Sequence, residues 1–166
     1  MKTAIALGSN IGDRLQNLQR ARDALVALHC GSSPLRCSKV YETAPAGCAA
    51  GTRSFLNAVV ELECDCDPLA LLGALRGIET GLGRAAVRAP NASRAIDLDI
   101  ILYGGCSLRE PSLTIPHPRA HERRFVLQPL QDIRPDWIFP GQHESVAGLL
   151  KNLPAGEPVE VFAETW

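Results

Sequence analysis

The chain has 166 residues, 46% of them hydrophobic and 21% charged, which is enough apolar content for one buried core and too much for a disordered tail or a coiled coil. Lys plus Arg is 17 against Asp plus Glu 18, a formal net charge of −1, which excludes the global basic field of a nucleic-acid binder. No run approaches the roughly 20 apolar residues of a membrane-spanning helix, and the stretch after Lys2 turns polar at Ser9-Asn10, too early for a secretory signal. A single cytoplasmic domain over residues 1–166 is the expectation.

In chain order, Thr3 to Leu7 reads as a short apolar strand that ends at the turn cluster Gly8-Ser9-Asn10. Asp13 opens a helical pattern in which Leu15, Leu18, Ala21, Leu25 and Leu28 recur at spacings of three and four, up to Gly31. Leu35 to Glu42 and Phe55 to Leu62 are two further strands, separated by a loop around Pro45 and Gly47. Asp67-Pro68 then starts a helix from Leu69 to about Thr80, with Leu69, Leu72, Leu75 and Ile78 on its apolar face. Residues 84–94 carry no periodicity and form a loop. Ala95 to Tyr103 is a strand with Ile96, Leu98, Ile100 and Leu102 on one face and Asp97, Asp99, Ile101 and Tyr103 on the other. Beyond Gly104 the spacing predicts helices from about Glu122 to Leu130 and near Glu144 to Leu150. Strand, helix, two strands, helix, strand is the order of a ferredoxin-like α+β sandwich, a mainly antiparallel sheet with helices packed on it.

Asp97-x-Asp99 is the most informative local signal. Period two puts both carboxylates on one strand face, where they can hold a hard cation, and a charge facing a core is costly unless it is paired or metal-bound. Arg84, Arg88 and Arg94 precede the pair, and His117, Arg119, His121, Arg123 and Arg124 follow it. Carboxylates with Mg²⁺, ringed by cations, are the parts of a phosphoryl-transfer site. Only three of the basic residues are lysines, and arginine is the side chain whose planar fork best grips phosphate. The Gly-x-x-x-x-Gly-Lys-Ser/Thr sequence of a P-loop is absent, so that nucleotide site is excluded. Gly8-Ser9-Asn10-Ile11-Gly12-Asp13 reads as a turn and helix cap. The six cysteines should stay reduced in the cytoplasm. Cys64-x-Cys66 is either half a metal site or alternation within a strand.

Six collinear blocks carry a resemblance. They are Ala6-Leu7-Gly8-Ser9-Asn10-Ile11-Gly12-Asp13, Tyr41-Glu42-Thr43-Ala44-Pro45-Ala46-Gly47, Phe55-Leu56-Asn57-Ala58, Ile78-Glu79 with Gly83-Arg84, Arg94-Ala95-Ile96-Asp97-Leu98-Asp99-Ile100, and Ile115-Pro116-His117-Pro118 with Arg123-Arg124-Phe125-Val126-Leu127. Together they resemble the 6-hydroxymethyl-7,8-dihydropterin pyrophosphokinases, over about residues 4 to 140. The resemblance implies a ferredoxin-like fold and transfer of the β,γ-diphosphoryl group of ATP to the pterin hydroxymethyl group, releasing AMP, on the way to folate. It implies two Mg²⁺ ions on Asp97 and Asp99, with ATP as co-substrate. Glu79, Arg84, Arg88, Arg94, Thr114, His117 and Arg123 are its implied ATP-binding residues, Arg84 and Arg94 being catalytic together with the aspartates. The pterin would lie between Phe55 and Phe125, with Asn57 and Asp97 at its edge and residues Thr43, Ala44, Pro45 and Ala46 alongside the ring. The loop closing over both substrates normally carries a tryptophan, where this chain has Asn91-Ala92-Ser93 before Arg94. The partners implied are small molecules, with no nucleic acid or membrane, and the chain works as a monomer or weak dimer. A paralogue acting on a modified pterin, and a non-catalytic module holding metal through its cysteines, are the alternatives.

Overall fold

The computed structural model describes residues 1–45, 51, 53–83, 94–156 and 158–166. The first strand, β1 (Lys2–Ser9), is followed by α1 (Arg14–Val26), capped by the Asp13 carboxylate accepting from Gln16 N–H. The expected strand over residues 35–42 is two pieces, β2 (Arg36–Cys37) and β3 (Val40–Thr43). At the break between them Ser38 bonds β4 (Phe55–Glu63) twice, its N–H donating to Val59 O and its Oγ accepting from Val59 N–H, each at 2.9 Å. The second helix, α2 (Pro68–Gly81), and β5 (Asp97–Tyr103) come next. A hairpin of β6 (Leu108–Glu110) and β7 (Leu113–Ile115), a single 3₁₀ turn (Ala120–Glu122), α3 (Arg124–Ile133), α4 (Val146–Asn152) and β8 (Val159–Ala163) complete the chain. The hairpin and β8 have no counterpart in the sequence reading.

The main sheet runs β5-β1-β4-β3-β8 with β2 beside β4, and its pairings are antiparallel. Its first four strands have the order expected of a ferredoxin-like sheet. One face carries Ile5, Leu7, Leu56, Ala58, Val60, Leu98 and Ile100, buried against Leu18, Ala21 and Leu25 of α1 and Leu71 and Leu75 of α2. The other face carries Ala4, Val59, Ile101 and Leu102, buried against Val126, Leu127 and Leu130 of α3 and Val146 and Leu150 of α4. The two helices lying between strands thus share one face, as expected, and the two that follow the last of those strands cover the other. Hydrophobic burial on both faces is what holds this three-layer arrangement.

Three expectations need correction. Leu69 is 44% exposed, while Leu71 and Leu75 are fully buried, so the buried stripe of α2 runs through Leu71, Leu75 and Glu79 and is rotated from the one predicted. The alternation in β5 fails after Ile100, because Ala4 pairs with Leu102 while Ile5 pairs with Ile100, leaving Ile101 as the extra residue of a β-bulge. Ile101 and Leu102 therefore both pack under α3, and Tyr103 turns to the α1 and α2 side. Gly8 and Ser9 continue β1 instead of forming the expected turn, since Gly8 pairs with both Asn57 and Asp97.

Candidate functional site

The site grows out of strand register. On the α3 side of the sheet, Asn57, Gly8 and Asp97 form one rung across β4, β1 and β5, and Val59, Ala6 and Asp99 form the next. Tyr41 pairs with Asn57, and Thr43 with Phe55, which extends the row into β3. The two aspartates point to the same side because they are two residues apart in a strand, and they lie before the bulge that breaks the alternation. A Cβ placed on Gly8 would stand 3.5 Å from Asn57 Oδ1 and 4.0 Å from the Asp97 Cβ, so glycine leaves the space between the two side chains open.

Two cavities meet at this row. The first, of about 740 Å³, is lined by Leu72, Arg76, Glu79 and Thr80 of α2, by the β6–β7 turn with Thr114, and by His117. The second, of about 580 Å³, is lined by Gly8, Thr43, Ala44, Phe55, Asn57, Arg94, Arg119, Arg123, Arg124 and Phe125, with residues 153–156 as one wall. Asp97 and Asp99 line both. Glu79, Thr114 and His117, expected beside ATP, are gathered at the first cavity. Thr43, Ala44, Phe55, Asn57 and Phe125, expected beside the pterin, are gathered at the second. Arg94 and Arg123, expected on the ATP phosphates, line the second cavity rather than the first. Pro45 lines neither cavity. Ala46, Arg84, Arg88 and the loop position Asn91 lie outside the described residues.

The side chains are held from behind. Asn57 Nδ2 donates to Thr43 Oγ1 at 2.8 Å, which fixes the amide's orientation. Glu79, buried at 3% exposure, accepts the Leu98 N–H at 2.8 Å and so ties α2 to the strand between the two aspartates. Arg94 Nη1 donates to Asp97 Oδ2 at 2.5 Å. Its backbone is clamped by Asn10, whose N–H donates to Arg94 O at 3.1 Å and whose Oδ1 accepts the Arg94 N–H at 2.7 Å. The sequence reading missed Asn10, Gly8 and the 153–156 wall, and named Arg119 and Arg124 among the cations around the aspartates without assigning them to a substrate; the run Gly8-Ser9-Asn10 held the signal for the first two, had β1 been carried on past Leu7.

Burial, then the neighbouring Asp97 charge, pushes the Asp99 carboxyl up to about 6, against a smaller pull from Arg123. Two carboxylates this close, one of them short of compensation, suit a divalent cation. Hard oxygen donors from two carboxylates fit Mg²⁺, which usually takes few protein ligands and completes its shell with water and phosphate oxygens. Among the described residues no group of three or more His, Cys, Asp or Glu gathers around a metal position. The Cys64 and Cys66 thiols lie 2.7 Å apart on the α1 and α2 core, but just past the end of β4 at Glu63, so they do not alternate within a strand as expected. Burial and then the Arg123 and Arg119 charges lower the His117 pKa. Its Nδ1 accepts the Arg119 N–H at 3.2 Å, so the proton of the neutral ring sits on Nε2.

The family model for 7,8-dihydro-6-hydroxymethylpterin-pyrophosphokinase (HPPK) matches residues 4–135. The 2-amino-4-hydroxy-6-hydroxymethyldihydropteridine pyrophosphokinase of Synechocystis is 38% identical over 149 residues, covering 90% of this chain and 74% of that protein; the Bacillus subtilis protein of the same name is 41% identical over 129 residues, 78% and 75% of the two chains. The folic acid synthesis protein fol1 of Schizosaccharomyces pombe is 39% identical over 153 residues, but this chain spans only 20% of its length. A Plasmodium falciparum HPPK-DHPS crystal structure superposes with a TM-score of 0.71 at 15% identity, over 90% of this chain and 45% of that one, which shows a shared fold.

Proposed function

Because the chain belongs to the 7,8-dihydro-6-hydroxymethylpterin-pyrophosphokinase family, we propose that it transfers the β,γ-diphosphoryl group of ATP to the hydroxymethyl oxygen of 6-hydroxymethyl-7,8-dihydropterin. The bond between the α,β-bridging oxygen and the β-phosphorus breaks, an oxygen–phosphorus bond to the pterin forms, the hydroxyl proton is released, and AMP leaves. The product is the pterin diphosphate, a precursor of folate. The observation that carries this reading is the placing of Asp97 and Asp99 on the wall common to two cavities.

In this reading the nucleotide occupies the cavity of Glu79, Thr114 and His117, and the pterin occupies the cavity of Phe55, Asn57 and Phe125. A flat heterocycle suits a slot with aromatic side chains and an amide fixed by Thr43. Asp97 and Asp99 hold the Mg²⁺, two ions in the expected arrangement, which supplies charge neutralisation on the phosphate oxygens. His117 presents an Nε2–H donor to the phosphates. Arg123, on the second cavity, faces the diphosphoryl group on the pterin side, while Arg94 stays on Asp97 and keeps that carboxylate in place; Arg84 and Arg88 are assigned to the phosphates on the resemblance alone. With a loose transition state, holding donor and acceptor in line and surrounding the charge accounts for most of the rate. We also propose a monomer or weak dimer working in the cytoplasm, a reducing compartment in keeping with Cys30, Cys37, Cys64, Cys66 and Cys106 as free thiols. Among the described residues no helix is long and apolar enough to cross a membrane.

Incubation with MgATP and 6-hydroxymethyl-7,8-dihydropterin should yield AMP and pterin diphosphate in equal amounts. EDTA should abolish both. ADP as the nucleotide product, or no AMP at saturating Mg²⁺, would refute the assignment.

A further inference from the structure

The second cavity carries more positive charge than a neutral pterin alcohol calls for. Of the arginines lining it, Arg94 is spent on Asp97. Arg124 donates from Nη2 to the carbonyl oxygens of Leu153 and Pro154 at 3.2 and 3.3 Å, which pins the 153–156 wall. Arg123 lies over the Phe125 ring, 5.5 Å from its centroid. Arg119 differs: its backbone N–H holds His117 Nδ1, while among the described residues its exposed guanidinium makes no hydrogen bond or ion pair. His117 lines the first cavity and Arg119 the second, so the short segment joining them crosses the divide between the two.

A neutral substrate gives an uncommitted cation on this side nothing to bind. After transfer the same ligand carries a diphosphate, and a guanidinium fork is the side chain matched to it. We propose that Arg119 binds the diphosphoryl group once it has passed onto the pterin, so that the second cavity discriminates the charged product from the neutral substrate. This rests on the proposed assignment of the pterin to the second cavity.

The test compares Arg119→Ala and Arg119→Lys with wild type in the full chain by titration calorimetry. The neutral pterin alcohol is titrated in the presence of Mg²⁺ and a non-transferable ATP analogue, and the pterin diphosphate in the presence of Mg²⁺ and AMP. Arg119→Ala should weaken diphosphate binding about three- to tenfold, the range of a partly exposed charge-assisted contact, and leave the alcohol within about twofold. Arg119→Lys should recover most of the loss, and the difference should shrink as salt is raised. Equal weakening of both ligands, or of neither, would overturn the role of Arg119. Failure of the wild type to release AMP from ATP and the pterin would instead overturn the activity itself, so the two failures are distinguishable.

Discussion

At the scale of single residues, the site rests on side chains whose environment sets their protonation. His117 is held with a pKa below the usual histidine value by burial and by the charges of Arg123 and Arg119. The unfolded chain therefore binds a proton more readily than the folded one, so this group's contribution to stability is complete above about pH 6.5 and is lost as the pH falls through that value toward the lower folded pKa. Asp99, raised to about 6, acts in the opposite sense over the same window, so the His117 contribution is read as a difference: between about pH 7 and pH 5 the melting temperature of wild type should fall relative to that of His117→Gln, and parallel profiles for the two proteins would show that the imidazole is not responsible. The residues of this site differ in how far they could be read ahead. Asp97 and Asp99 stood out because a charge in an apolar strand demands a partner, whereas Phe55 and Asn57 were assigned through the resemblance. For Asn10 the run Gly8-Ser9-Asn10 marked the position but not the role, which is a pair of bonds to the backbone of Arg94, 84 positions away.

At the scale of elements, α3 matters most, because its N-terminal end brings Arg123, Arg124 and Phe125 to the second cavity. Two polar ties hold it to the sheet. Arg134 makes a bidentate pair with Glu61, one bond at 2.7 Å and the other shorter, and Asp132 accepts from Tyr41 Oη at 2.9 Å and from Lys39 N–H at 3.0 Å. Glu61 is only 5% exposed, so removing its partner leaves a buried charge uncompensated. Arg134→Ala should cost about 3–5 kcal/mol in urea denaturation, and Glu61→Gln added to it should recover part of that loss; a loss below about 1 kcal/mol would mark the pair as an ordinary surface contact. Helices α1 and α2 were legible because their apolar spacing is helical and Asp13 and Asp67 cap them. Strand β8 was not legible: it lies at the sheet edge with its middle residues exposed, so burial imposes no alternating pattern on it.

At the scale of the whole molecule, the strand order β5-β1-β4-β3 puts residues 43, 55–57 and 97–99 side by side and lets two ligands share one pair of carboxylates. Binding that needs the folded arrangement must stabilise it. A non-transferable ATP analogue at about 100 times its dissociation constant should add about 2.7 kcal/mol, or about 5–10 °C in melting temperature for a chain of this length. The shift should require Mg²⁺, because Asp97 and Asp99 by themselves repel the phosphates; an equal shift in EDTA would place the nucleotide elsewhere.

The sequence by itself determined what local rules can decide: the alternation of the sheet's first strands, the two capped helices, the paired aspartates, and a set of motifs specific enough to point to one family. Only the tertiary structure decided that α3 and α4 cover the second face, that a bulge at Ile101 ends the alternation just past the aspartates, and that Arg94 and Arg123 stand on the second cavity rather than the first. Each of these depends on contacts between residues far apart in the chain. Hydrophobic period records which residues are buried, but it does not record which layer buries them or which cavity a surface arginine faces.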